Sequence, residues 1–233
     1  MQLADAVVLI TGANRGIGQA FAREAPARGA RRVYAAARDP AVVKLPGVLP
    51  IQLDVTDSAQ VARAARECRD VTLLVNNAGV AETGGFLQDH ALESARRQLD
   101  VNFFGMLRMA QAFAPVLAAN GGGALLNVLS IASWINRPLL GTYGATKSAA
   151  WALTNGLRHE LRAQGTQVTA LHMGFVDTDL TRGIEMPKST PEAIVREAFD
   201  GLEAGLEEVL ADLATQQVRQ SLSTATPAYL AAA

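Results

Sequence analysis

At 233 residues, 49% of them hydrophobic and 18% charged, the chain can bury a sizeable core and reads as one domain, since α/β folds often reach this length undivided. Its net charge of −1 excludes the basic balance that nucleic acid or an anionic membrane would call for as a partner. The single cysteine, Cys68, excludes an internal disulfide, and it sits in an Arg/Glu/Asp-rich segment that suits an inert packing or surface thiol. No unbroken apolar run approaches the roughly 18–20 residues of a bilayer span. The start Met1-Gln2-Leu3-Ala4-Asp5 lacks the basic head of a signal peptide, so a cytoplasmic protein is expected.

Ala6-Val7-Val8-Leu9-Ile10 is an apolar run rich in β-branched residues, which predicts a strand buried on both faces as in a parallel sheet. Thr11-Gly12-Ala13-Asn14-Arg15-Gly16-Ile17-Gly18 follows at once, and then a helical pattern from Phe21 to Ala27. Strand, glycine-rich turn and helix in this order build a dinucleotide phosphate site, because glycines let the backbone approach a pyrophosphate and the helix start offers free N–H groups. The spacing G-x-x-x-G-x-G departs from the common G-x-G-x-x-G, and a plain glycine-rich turn is the alternative.

Arg32 to Ala37 predicts the second strand, ending at Arg38-Asp39. An acidic residue about 20 residues beyond the glycines binds the ribose 2′-hydroxyl of NAD, whereas two guanidinium groups, Arg15 and Arg38, suit the 2′-phosphate of NADP. The expectation is NADP, with Asp39 as the counter-indication. Val48 to Leu53 predicts a third strand whose carboxyl end carries Asp54-Val55 into the crevice. Asp54 either bonds an adenine amino group or caps the helix starting near Thr56-Asp57-Ser58, and Asp57 is a cap on the same grounds. Val71 to Val75 is the fourth strand, and Asn76-Asn77-Ala78-Gly79 after it either ties neighbouring strand ends together or forms an ordinary turn.

A helical pattern covers His90 to Ala119 with a break near Asn102, an amide that either bends the helix or holds a water. Gly121-Gly122-Gly123 is a loop, Ala124 to Leu129 a strand, and Ser130 lies at its carboxyl end. Tyr143 and Lys147 are four apart, hence one turn apart on one side of a helix that runs to about Ala163. An ammonium close to the phenol would lower the tyrosine's ordinary value of ~10 towards the working range, and Ser130 could orient a carbonyl oxygen beside it. Gln167 to His172 is the last core strand, leading into Met173-Gly174-Phe175-Val176-Asp177-Thr178. The stretch to Thr190 reads as a lid, Pro191 opens a helix to about Gly205 with Thr190 as cap, and Glu208 to Ala211 adds a final strand. The tail from Ser221 to Ala233 is expected to be disordered or docked on a partner subunit. His90, His159 and His172 are scattered, and no metal-ligand cluster is visible.

Taken together, these stretches resemble the short-chain dehydrogenase/reductase family over nearly the whole chain, through Thr11–Gly18, Asp54, Asn76-Asn77-Ala78-Gly79, Asn102, Ser130, Tyr143 and Lys147. The resemblance implies a single Rossmann-like, doubly wound α/β domain over residues 1–220, with a parallel sheet of about seven strands and helices on both faces. It implies Asn102, Ser130, Tyr143 and Lys147 as a catalytic tetrad, with Asn102 positioning a water for proton resupply. Implied cofactor positions are Gly12, Asn14, Arg15, Gly16, Ile17 and Gly18 in the glycine loop, with Arg38, Asp54, Val55, Asn77, Ala78 and Gly79 at the strand ends. Tyr143, Lys147, Gly174, Val176 and Thr178 complete that set, Thr178 at the nicotinamide carboxamide. Two departures stand out. Leu129-Ser130 replaces a common serine pair, and Met173-Gly174 replaces Pro-Gly, which is expected to loosen the backbone there.

The function expected is NADP(H)-linked hydride transfer between the nicotinamide and a small or medium ketone, aldehyde or matching secondary alcohol, in a homotetramer or dimer. The alternatives are an NAD-linked alcohol dehydrogenase and a non-catalytic dinucleotide-binding sensor. Ile131, Trp134, Ile135, Leu139, Leu140, Phe175 and Met186 are the candidate apolar pocket wall.

Overall fold

Residues 1–231 are described by the computed structural model, and they build a sheet of seven strands that all run parallel. The strands are β1 (Val7–Thr11), β2 (Arg32–Ala37), β3 (Leu49–Gln52), β4 (Leu73–Asn76), β5 (Ala124–Val128), β6 (Gln167–His172) and β7 (Glu208–Leu210). They lie in the order β3-β2-β1-β4-β5-β6-β7. Each expected strand is present, with ends that differ by at most two residues.

β1 is buried along its whole length because helices cover both faces. Val8 and Ile10 point into a layer shared with α1 (Gly16–Ala27) and α6 (Pro191–Glu203), where Phe21 meets Phe199 edge to face at 5.1 Å. Val7 and Leu9 point the other way, towards Val61 of α2 (Ser58–Glu67), Phe113 and Leu117 of α4 (Met106–Ala119) and Leu157 of α5 (Gly141–Glu160). Cys68 is buried in this second layer, and burial pushes its thiol up to about 12, so it is a packing thiol.

The chain winds outward from β1 to β3 and then returns to β4 on the other side of β1. That reversal opens a crevice at the carboxyl ends of β1 and β4. The helix expected from His90 to Ala119 is α3 (Ala91–Leu99) and α4, joined by a π-helical turn over Asp100–Gly105. The predicted break near Asn102 is this turn, in which one extra residue is accommodated without ending the helix. Counted as one helix, Ala91–Ala119 is long and apolar enough to cross a bilayer by length and composition alone, though Glu93, Arg96, Arg97, Asp100 and Arg108 interrupt it. Its apolar residues Met109, Phe113 and Leu117 instead pack in the core.

The tail expected to be disordered or docked on a partner follows α7 (Leu213–Ser221) and folds back on its own chain. The Ala228 amide donates to Ser221 Oγ at 3.1 Å, and Arg137 donates to the Ala231 carbonyl at 2.9 Å. Residues 232–233 of that tail lie outside the described residues.

Three buried polar side chains join β4, β5 and α5. Asn76 Nδ2 donates to Asn127 Oδ1 at 2.9 Å, Asn127 Nδ2 donates to Thr154 Oγ1 at 2.9 Å, and the Thr154 hydroxyl donates to the Ala150 carbonyl at 2.7 Å. Removing the middle member leaves buried groups without partners, which is the expensive way to lose a hydrogen bond. Asn127→Leu should therefore lower the unfolding free energy by about 2–3 kcal/mol, read as a lower urea midpoint at unchanged slope. A loss under ~0.5 kcal/mol would show that the chain of amides is dispensable.

Candidate active site

The crevice is a cleft of about 620 Å³ whose walls come from the glycine loop, the ends of β3, β4 and β5, α5 and the segment after β6. Gly12 has φ +67° and Gly16 φ +54°, both in the left-handed region that glycine tolerates. At Gly18 a Cβ would lie 2.2 Å from the Gly12 carbonyl oxygen, so only glycine lets α1 begin this close to the loop. No side chain caps the start of α1, and its first turn carries no acidic residue. The first amides of α1 therefore remain available to an anion, as a pyrophosphate requires.

Asn77 and Thr11 hold this loop to β4. Asn77 Nδ2 donates to the Thr11 carbonyl at 2.9 Å, and Thr11 Oγ1 accepts the Asn77 and Ala78 amides at 3.0 and 2.9 Å. Of the readings open for Asn76-Asn77, the structure selects the tie, since Asn76 reaches β5 and Asn77 reaches β1. Asn14, Ile17, Val55 and Gly79 also line the cleft.

Arg15 and Arg38 both line the cleft and are exposed. Arg15 is paired with Asp179 at 3.3 Å, joining the glycine loop to the segment after β6, and Arg182 pairs with the same carboxylate. Asp39 turns away, its carboxylate accepting the Ala41 amide at 2.9 Å. Asp54 accepts the Thr56 amide at 2.9 Å and hydroxyl at 2.7 Å, while Asp57 caps α2. Asp54 thus faces the cleft from a turn of its own and is not the helix cap.

The proposed tetrad is brought together. Ser130 is 7% exposed at the end of β5, Lys147 is 5% exposed on α5, and Tyr143 faces the cleft one turn before Lys147. Asn102 is buried in the π turn, and its amide clasps two elements. Its Oδ1 accepts the Val80 amide at 2.9 Å, and its Nδ2 donates to the Val80 carbonyl and to Thr146 Oγ1, each at 2.9 Å. Both Nδ2 protons are spent on protein, so the side chain ties the loop after β4 to the helix that carries Tyr143 and Lys147.

Lys147 Nζ donates to the Val128 carbonyl at 2.9 Å and lies 5.8 Å from the centroid of the Tyr143 ring. Burial lowers its pKa to about 8. Burial also pushes the Tyr143 phenol up to about 12, while the Ser130 hydroxyl pulls the other way. The expectation that Lys147 draws the phenol down is therefore corrected for the protein by itself. Its ammonium is engaged with a backbone carbonyl, and desolvation opposes charge on both groups. The ring stays partly open to the cleft, so solvent there moderates the push. At neutral pH the phenol is protonated, which is the form an acid needs.

The expected looseness at Met173-Gly174 is also corrected. The Ile131 amide donates to the Met173 carbonyl at 2.8 Å, and the Gly174 amide donates to Asp212 Oδ2 at 2.7 Å. Asp212 does a helix cap's work as well, accepting the Thr215 amide at 2.8 Å. Beyond it the segment expected as a lid makes an isolated bridge between Val176 and Ser189, with Thr178 lining the cleft. Of the expected apolar wall, Ile131, Leu140 and Phe175 line the cleft, joined by Val80, Leu180 and Ile184. Trp134, Ile135, Leu139 and Met186 do not. Trp134 instead stacks on His172, centroids 3.9 Å apart.

Among the described residues no group of three or more His, Cys, Asp or Glu side chains is placed to hold a metal. A model of the short chain dehydrogenases matches residues 6–188. The chain belongs to the short-chain dehydrogenase/reductase family. Sorbitol dehydrogenase of Cereibacter sphaeroides is 36% identical over 195 residues, spanning 79% of this chain and 76% of that protein. A short chain dehydrogenase from Burkholderia cenocepacia, solved in complex with NADP, superposes with a TM-score of 0.93 at 38% identity, covering 97% of this chain and 95% of that one. A family member from Burkholderia phymatum, solved in complex with NAD, gives a TM-score of 0.84 over 94% of each chain, a likeness of fold at 24% identity. This short-chain dehydrogenase/reductase is thus an oxidoreductase.

His172 gives the site a pH signature. It is fully buried, and burial lowers its pKa to about 4 from 6.5. Between those values the unfolded chain binds the proton and the folded chain does not, so stability is complete above ~6.5 and falls as pH drops towards 4. The loss from this group is about 3 kcal/mol. It should appear as the difference between wild-type and His172→Asn urea midpoints, wide at pH 7 and narrowed at pH 4.5; parallel curves would rule it out.

Proposed function

We propose that this short-chain dehydrogenase/reductase uses NADP(H) to interconvert a small or medium ketone or aldehyde and the matching secondary alcohol, with Tyr143 as general acid and base. The observation that carries the reading is the meeting of Ser130 and a protonated Tyr143 on one cleft with Lys147 behind them. The cofactor, when bound, supplies or receives the hydride. In reduction Tyr143 hands its proton to the developing alkoxide. Ser130 Oγ already accepts the Ala132 amide at 3.1 Å, which leaves its own proton free for the same oxygen. Asn102 and Thr146 keep the catalytic helix in register with the loop carrying Gly79.

Preference for NADP is supported by Arg15 and Arg38 on the cleft and by Asp39 committing its carboxylate to a turn. The NADP complex of the Burkholderia cenocepacia relative agrees with it. The apolar residues Ile131, Leu140, Phe175 and Ile184 favour a carbonyl with apolar substituents over a polyol such as the relative's sorbitol. We also propose a cytoplasmic protein that forms a dimer or tetramer, the association being supported by exposed apolar Leu87, Leu92 and Phe104.

Fluorescence titration should give tighter binding of NADPH than of NADH, and Arg38→Leu should weaken NADPH roughly 10–100-fold while sparing NADH. A preference for NADH would overturn the arginine assignment. Tyr143→Phe should lose about 10²–10⁴-fold in turnover at unchanged NADPH affinity; near-normal turnover would remove Tyr143 from the mechanism.

A further inference from the structure

We infer that His172 is a positioning residue for the reaction, fixing the direction of the Ser130 hydroxyl from behind the cleft through the Ser130 carbonyl. The inference rests on reading Ser130 and Tyr143 as the catalytic pair. His172 closes β6, is fully buried, and does not line the cleft. Its Nδ1 lies 3.2 Å from the Ser130 carbonyl oxygen. A carbonyl only accepts, so Nδ1 carries the proton and the neutral ring keeps its lone pair on Nε2. That Nε2 is buried and has no partner among the described residues.

Three features make this bond directional. The Ser130 carbonyl also accepts the Ser133 amide at 3.0 Å, so it is held from the turn on one side and from the imidazole on the other. Ser130 itself is extended, with φ −167° and ψ 159°, directly before that turn. Pinning the carbonyl sets ψ, and with Oγ accepting the Ala132 amide the hydroxyl is left one direction in which to donate. The imidazole cannot swing, because it stacks on Trp134 with planes 20° apart, and Trp134 is braced by Trp151 at 6.2 Å and Arg219 at 5.7 Å. The charged groups facing the ring are Glu208 of β7, Arg219 of α7 and Lys147 of α5. Glu208 is paired with Arg219 at 3.0 Å and accepts the Trp151 indole N–H at 3.3 Å, so its charge is balanced within the cluster and not by the ring.

A packing role alone is a poor account of this histidine. A phenyl ring fills a similar space and stacks as well, without leaving an imidazole nitrogen buried and unpaired. What the phenyl lacks is the donor at the Nδ1 position.

The test compares His172→Asn, His172→Gln and His172→Phe in the full chain. Asparagine places an amide N–H near the Nδ1 position, glutamine near Nε2. With NADPH and either cyclohexanone or benzaldehyde, Phe and Gln should lower kcat roughly tenfold at unchanged NADPH affinity, and Asn should recover most of it. Equal kcat in Asn and Phe, or no loss in either, would overturn the inference. If Phe does not fold, the Asn and Gln pair carries the same comparison. A readout free of turnover is the ¹⁵N spectrum of the imidazole, assigned by its absence in His172→Asn: the Nδ1–H neutral tautomer is expected from pH 8 to 5, and an Nε2–H tautomer would overturn the bond. Retained turnover in both Tyr143→Phe and Ser130→Ala would instead remove the catalytic pair, whatever the tautomer.

Discussion

Where a buried parallel sheet ends, its last carbonyls and amides lose their ladder partners and still need others. This protein answers at the carboxyl edge with side chains from neighbouring strands. Thr11 takes amides from the chain after β4, Asn77 returns to β1, Asn76 reaches β5, and Lys147 and His172 serve the carbonyls of Val128 and Ser130. The cleft is the surface that this network leaves behind. The apolar packing lies deeper, in the two core layers.

Desolvation shapes the chemistry of the same edge. Lys147 and Tyr143 are each pushed towards the uncharged form, in opposite senses on the pH scale. The protein sets the starting protonation states, and charge arriving with a ligand is what can change them.

Much of this was legible in the sequence. The parallel sheet showed as apolar runs such as Val7 to Ile10, the glycine loop followed its strand, and the π turn appeared as an asparagine inside an apolar helix. Ser130, Tyr143 and Lys147 stood out as candidates by spacing, and the family resemblance singled them out, since Y-x-x-x-K alone is common. What stayed hidden depends on long-range contact. Asp212 drew no notice in the sequence, yet it caps α7 and its second oxygen holds Gly174 across 38 residues. His172 reads as an ordinary strand residue until β5 and β6 are paired, and Trp134 looks like pocket wall until the histidine is behind it. The tyrosine–lysine argument from spacing missed that the Val128 carbonyl competes for the ammonium.

The π turn at Asp100–Gly105 has a consequence for how such a chain can be cut and rejoined. An extra residue in one turn rotates everything after it by roughly 100° about the helix axis. α3 and α4 therefore present their apolar faces to different neighbours, α3 to α5 and α4 to α2. A hybrid assembled from two related chains keeps both faces only if its junction leaves this turn whole. The six residues behave as a spacer of fixed phase between the two helices.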